Sequence, residues 1–143
     1  MWIYKNYPFK IIIMATLIPY LVFSGNCREV LEFYSTVFKG QIVSIQTFGE
    51  APIDFPEASK NRIFDSEFKA GNIHFKASDD FPPNQPVTKG TNFSLFVYFS
   101  DMTFKKEAFQ ELSKEGVVLF PLDENFGMLK DTYGMQWMFV NEK

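Results

Sequence analysis

One cysteine and one histidine occur in this chain of 143 residues. A lone cysteine excludes an intramolecular disulfide and any cysteine-cluster zinc site. Basic residues are not in excess: 14 Lys and Arg stand against 17 Asp and Glu, a net charge of −3. They are scattered along the chain and offer no phosphate-binding surface, so no nucleic-acid partner is expected. The longest apolar run, Ile11–Phe23, is broken by Pro19 and too short to cross a bilayer as a helix, so no membrane partner is expected either.

Phenylalanine, by contrast, is plentiful, with 18 copies. Such a chain builds an aromatic core or lines an apolar pocket, and Phe23, Phe48, Phe64 and Phe68 are candidates for a lining. Hydrophobic residues at 46% and charged residues at 22% are ordinary for one globular domain.

Hydrophobic patterning gives an element order. Thr16–Phe23 reads as a strand, with β-branched and aromatic residues and no helical period. Ser24-Gly25-Asn26 is a turn whose Ser or Asn can cap the helix that follows. In that helix Val30, Leu31, Phe33, Tyr34, Val37 and Phe38 form one stripe, and Gly40 ends it. Strands are expected over 41–48, 62–69 and 72–78, the last two as a hairpin around Ala70-Gly71. The proline-rich stretch 80–91 is a linker. The second half repeats the plan: strand 92–99, helix 103–115 closed by Gly116, strand 117–122, then strands 128–131 and 136–140.

A gapless shift of 76 positions places Phe23 on Phe99, Ser24 on Ser100, Phe33 on Phe109 and Gly40 on Gly116. The chain therefore reads as two βαβββ modules of about 65 residues each. Residues 1–15 form an N-terminal extension. A single domain covers 16–141, with module one at 16–79 and module two at 92–141. The fold class is α+β: a curved, mixed but mostly antiparallel sheet with flanking helices. The repeat also bears on the opening run. As a secretion signal, Ile11–Phe23 would be cleaved, deleting the first strand of module one, so a cytoplasmic protein is expected.

Paired βαβββ modules resemble the vicinal oxygen chelate superfamily, which includes glyoxalase I, extradiol dioxygenases and bleomycin-resistance proteins. Two stretches are similar to its PhnB-like branch. Ile18–Pro52 carries a Pro-Tyr strand, Gly-Asn-Cys and a helix with Phe-Tyr; Asn125–Phe139 carries an aromatic-Gly loop and Asp-x-x-Gly-x-x-Trp. The resemblance implies a homodimer.

Metal-using members take one ligand from each of four strands. The resemblance carries these positions to Pro19, His74, Leu95 (or Asn92, if the strand slips) and Met138. Only His74 is a good ligand for Zn, Ni or Mg; proline and leucine have no donor, and a thioether suits softer ions. No metal and no other cofactor is therefore expected, and His74 counts as a ligand only if a metal is found. Metal-dependent glyoxalase chemistry is disfavoured.

Other candidates are weaker. His74 could act as a base in a cavity, but a partly exposed strand histidine is the preferred reading. Cys27 starts a helix, where its pKa could fall, yet a small buried residue is preferred. Asp65 and Glu67 share a strand face and read as a solvated pair rather than an acid–base couple. Asp131 reads as bonding the turn to Gly134, and Trp137 as core. Phe126, at the mouth of the cavity by the resemblance, either stacks on a ligand or covers the sheet end.

The expected pocket set is Pro19, His74, Leu95, Phe126 and Met138, with no catalytic residue assigned. The expected function is small-molecule binding: a PhnB-like protein holding an apolar or aromatic organic ligand without a metal. The alternatives are a divalent-metal-dependent lyase, isomerase or dioxygenase, and a drug-sequestering resistance protein. Branch members are sometimes labelled methyltransferase, but no glycine-rich nucleotide loop follows the first strand here, so that reading is rejected.

Overall fold

The structure, a computed structural model, describes residues 12–81 and 87–142. Most of the expected N-terminal extension (1–11) and part of the linker (82–86) lie outside the described residues. The chain folds as β1 (Tyr20–Phe23), α1 (Cys27–Phe38), β2 (Gln41–Thr47), β3 (Ile63–Ala70), β4 (Ile73–Asp79), β5 (Leu95–Phe99), α2 (Met102–Ser113), β6 (Val117–Phe120), β7 (Phe126–Lys130) and β8 (Gln136–Asn141). Each βαβββ module forms its own four-stranded sheet, ordered β1-β4-β3-β2 and β5-β8-β7-β6. In each sheet the first and last strands of the module pair in parallel and the other pairings are antiparallel.

Three strands are shorter than their sequence suggests. β1 starts at Tyr20 because Pro19 accepts from the Lys76 backbone N–H at 2.9 Å but has no N–H to return to the ladder. β5 starts at Leu95 because the Gln136 side chain takes the carbonyls of Thr91 and Phe93, at 3.3 and 2.9 Å. Pro121 follows the end of β6.

The helices are held differently from expectation. Neither Ser24 nor Asn26 caps α1. Asp79, at the end of β4, accepts the Cys27 N–H at 2.9 Å and the Ile63 N–H at 2.9 Å. α2 has a local cap, Asp101, which accepts the Phe104 N–H at 2.8 Å. The left-handed residues after the helices are Lys39 (φ 54°) and Glu115 (φ 59°), not the glycines that follow them. Gly40 and Gly116 are required by space: a Cβ would lie 2.6 Å from Phe68 Cζ at Gly40 and 2.5 Å from the Lys130 carbonyl at Gly116.

One core joins both modules. Leu21, Phe23, Phe68 and Phe75 of the first sheet and Val97, Leu129, Trp137 and Phe139 of the second are buried with Tyr34, Phe38, Phe109 and Leu112 of the helices. α1 reaches both sheets: Tyr34 lies edge-on to Phe75 (5.9 Å) and to Trp137 (5.4 Å), and Phe38 packs on Trp137 at 5.0 Å. Asp131 ties this seam together. It accepts the Tyr34 hydroxyl at 2.5 Å, the Trp137 indole N–H at 2.9 Å, and the backbone N–H groups of Tyr133 and Met135 at 2.9 and 3.0 Å. Burial first, then the neighbouring carboxylate, pushes the Tyr34 phenol well above its usual range. Among the described residues, no helix is long and apolar enough to cross a membrane.

The phenylalanines expected to line a pocket are mostly packed elsewhere. Phe68 stacks on Phe75 at 4.7 Å in the core. Phe48 and Phe64 join Phe55 and Phe81 in a separate aromatic cluster, with neighbouring rings 4.6 to 6.1 Å apart. Phe23, though buried, borders a cleft described below.

Candidate functional site: the outer faces of the two sheets

The alternation of strand side chains gives each sheet an inner face, spent on the core, and an outer face. Leu21 and Phe23 of β1 point inward, leaving Tyr20 and Val22 outward, 46% and 43% exposed. Val97 and Phe99 of β5 point inward, leaving Phe96 and Tyr98 outward, 50% and 65% exposed.

The outer face of the first sheet is a polar ladder. Asp65 of β3 accepts the Tyr20 hydroxyl and the Lys76 ammonium, both at 2.9 Å. One rung away, Glu67 meets His74 Nε2 at 2.9 Å and Lys69 Nζ at 3.6 Å. Partial burial, then hydrogen bonding and charge at Asp65, raise the Tyr20 phenol to about 12; a bond to Ser78 opposes the shift. Tyr20 therefore stays a neutral donor. Each carboxylate on this ladder already holds a cation or a donor.

The outer face of the second sheet is mostly apolar, with Lys130 opposite Val117 and Gln136 as its polar end. Phe96 is opposite Met138, Met138 opposite Met128, and Met128 opposite Phe120, one row across all four strands. A second row runs Tyr98, Val140, Phe126. Phe126 lies 5.8 Å from Phe120, and its backbone is set by Asp123, whose carboxylate accepts the N–H groups of Asn125 (2.8 Å) and Phe126 (2.9 Å). Those bonds lower the exposed Asp123 carboxyl.

The five residues singled out from the sequence are divided by this geometry. His74 is on the polar outer face; Phe126 and Met138 are on the apolar one. Pro19 is half-buried just before β1, and Leu95 packs against the core opposite Trp137. Their outward neighbours are Tyr20 and Phe96, which sequence reasoning missed. Their signal was present but ambiguous: both strands are apolar on consecutive positions, so alternation has no readable phase. Lys76 was missed as well, although it lies two residues after His74 on the same strand face.

Neither face is closed within one chain. The cleft nearest β1, about 500 Å³, runs along Tyr20–Phe23 to the Tyr133–Gln136 turn and Thr88–Gly90. A second groove, about 820 Å³, lies beside α2 between Met102, Phe109, Val118 and Leu122, away from both outer faces. Its buried cation, Lys105, is held by the carbonyls of Asp123 and Glu124 (3.4 Å each) and by the Asn141 side chain. Cys27 is fully buried, and burial, then the charge of Asp79, pushes its thiol up to about 12, the opposite of an activated nucleophile. Among the described residues no three His, Cys, Asp or Glu side chains converge as metal ligands. The donor set on the polar face fits a resident divalent ion poorly, since the Lys76 ammonium occupies Asp65.

Residues 15–140 match the profile of the 3-demethylubiquinone-9 3-methyltransferase family. The chain is similar to protein YjdN of Escherichia coli K12, 24% identical over 135 residues, covering 85% of this chain and 92% of that protein. Among solved structures it is similar to protein PA1353 of Pseudomonas aeruginosa, with a TM-score of 0.79, 28% identity, and coverage of 90% of this chain and 98% of that one. It is also similar to a PhnB protein of Bacillus cereus, with a TM-score of 0.74, 25% identity, and coverage of 90% and 100%.

Proposed function

The chain belongs to the PhnB-like 3-demethylubiquinone-9 3-methyltransferase family, whose members share the vicinal oxygen chelate fold, and we propose that this protein binds a small organic molecule, without a protein-held metal, between two copies of itself. The observation that carries the reading is the mismatch of the outer faces. The polar ladder of Tyr20, Asp65, Glu67, His74 and Lys76 and the apolar rows of Phe96, Tyr98, Phe126 and Met138 belong to one chain but to the outer faces of two different sheets. An apolar face of that extent on a monomer marks an interaction surface. In a twofold dimer the polar face of one copy can close over the apolar face of the other, twice. Each cavity would then have one hydrogen-bonding wall and one aromatic wall, suited to an aromatic ligand with polar substituents. The reading takes the protein to be cytoplasmic.

The methyl transfer in the family's description is not carried over, because β1 leads into Ser24-Gly25-Asn26 rather than a glycine-rich nucleotide loop. Metal-free binding is supported by the ladder, where both carboxylates are already paired.

The test is native mass spectrometry with elemental analysis after dialysis against Zn, Ni, Mn and Mg in turn, followed by a thermal-shift screen of substituted phenols and aromatic acids. A dimer mass, no stoichiometric metal, and a ligand-induced shift lost in Phe96→Ala and Lys76→Met are expected. Stoichiometric metal that disappears in His74→Ala would replace this reading with a metal-dependent one.

A further inference from the structure

We propose that the groove beside α2 is a second binding site, taking an alkyl carboxylate whose headgroup is received by Lys105. The site is separate from the two outer faces and does not rest on the two-copy reading.

The two helices differ at one inward position. Lys105 is the fourth residue of α2, as Val30 is of α1. Val30 is fully buried, and Lys105 is only 4% exposed. A lysine therefore stands on the stripe that an aliphatic residue fills in module one. Lys105 makes no ion pair with any described Asp or Glu, whereas Lys60, Lys69, Lys76 and Lys114 each meet a carboxylate. Its ammonium meets only neutral acceptors. Asn141 Oδ1 is close, and Asn141 is itself held by donating its amide N–H to the Glu124 carbonyl. The other two acceptors, the carbonyls of Asp123 and Glu124, lie at 3.4 Å, longer than a well-formed N–H···O bond. A buried ammonium with one good acceptor and no counter-charge is costly. A carboxylate entering the groove would supply both.

The surroundings fit a hydrocarbon body. The groove, about 820 Å³, is lined by Met102, Phe109, Val118 and Leu122. Its size falls in the range of small-molecule pockets, roughly 300–1,000 Å³. Met102 and Val118 are each 44% exposed, so this part of the lining is open to a ligand rather than spent on the core. A short connection borders the opening. Between β6 and β7 the chain runs through 121–125 and buries none of those residues. Between β2 and β3 it runs through 48–62 and buries Phe48 and Ser59.

Charge at the rim does not reverse the choice of an anion. Lys106 and Glu124 also line the groove, both exposed and opposite in sign. The Asp123 carboxylate is engaged in its own loop, accepting the Asn125 and Phe126 N–H groups. Exposed charges are screened by water and salt, and the charge of Lys105 is not.

The test is isothermal titration calorimetry of the full-length chain with sodium octanoate, octanamide and octylammonium chloride. Far-UV circular dichroism and Tm are the controls on folding. Octanoate should bind one per chain, at least about tenfold more tightly than either analogue. Lys105→Met and Val118→Glu should each weaken octanoate at least about tenfold, and Phe96→Ala should leave it within about twofold. Should Lys105→Met fail to fold, Val118→Glu decides, because Val118 is half-exposed and its replacement sets a negative charge beside the ligand. No octanoate binding, or equal binding of octanamide or octylammonium, would overturn the site. Octanoate binding retained in a folded Lys105→Met chain would also overturn it. Binding lost in Phe96→Ala and kept in Val118→Glu would overturn it by moving octanoate to the outer face, with the proposed function left standing.

Discussion

The two modules trace the same path but secure it by different means. In module one the last strand ends on Asp79, which reaches across to the start of α1 and the start of β3. The register puts Asp79 opposite Phe23, as it puts Asn141 opposite Phe99 in module two. There the helix has its own cap in Asp101, and Asn141 is free to meet Lys105 instead. The outer faces diverge further, one laced with ion pairs and one mostly apolar, with Lys130 at its end. What the modules keep in common is the inner face, because both contribute to one core. A sheet whose inner side is spoken for can change the other side without refolding, and that is where the two halves of this protein differ.

The comparison can be broken most severely at the seam. Asp131→Ala leaves the Tyr34 hydroxyl, the Trp137 indole and two backbone N–H groups without their acceptor, and should cost about 3–5 kcal/mol in urea unfolding. Next come the paired glycines. Gly116→Ala drives a methyl to 2.5 Å from the Lys130 carbonyl, whereas at Gly40 it would meet the Phe68 ring tip at 2.6 Å before the Lys69 carbonyl at 2.8 Å. Losses of about 1–3 kcal/mol are expected, larger for Gly116→Ala, and equal losses would show the two sites to be more alike than their neighbours suggest. Smaller still is the polar ladder: Lys76→Met should change stability by less than about 1 kcal/mol, since both it and Asp65 are one-third exposed.

The last test concerns pH. The folded Cys27 thiol is raised to about 12 from an ordinary 9.0, so burial of the neutral thiol contributes stability fully present below about pH 9. That contribution is lost as pH rises from 9 toward 12. The urea midpoint of Cys27→Ala should therefore decline less steeply than that of wild type across this window. In native protein at pH 8, Ellman's reagent should react about a hundredfold more slowly than in denaturant.

Local signals in the sequence were sufficient for the elements. The stripe Val30, Leu31, Tyr34, Val37 and Phe38 is buried as its spacing requires, and the hairpin turns at Gly71, with φ 58°. Long-range signals were not available. Nothing near residue 27 announces that Asp79 will hold the helix start, because that contact spans 52 positions. Proline and glutamine side-chain bonding shortened β1 and β5 in ways that propensity does not register. Of the candidate site, His74 and Met138 could be placed on strands, whereas Phe126, expected in a loop before a strand at 128–131, is the first residue of β7. That His74 falls on a charged face and the other two on a mostly apolar one depends on the phase of each strand against the core, which no local pattern encodes.

Trp137 sits where this packing is tightest, with its indole N–H on Asp131 and its ring against Tyr34 and Phe38 of the other module. Its emission is consequently an optical gauge of whether the halves are joined. Loss of the seam would shift that fluorescence to the red even if each sheet kept its strands, so a spectrum and a far-UV signal that part company during unfolding would time the separation of the modules.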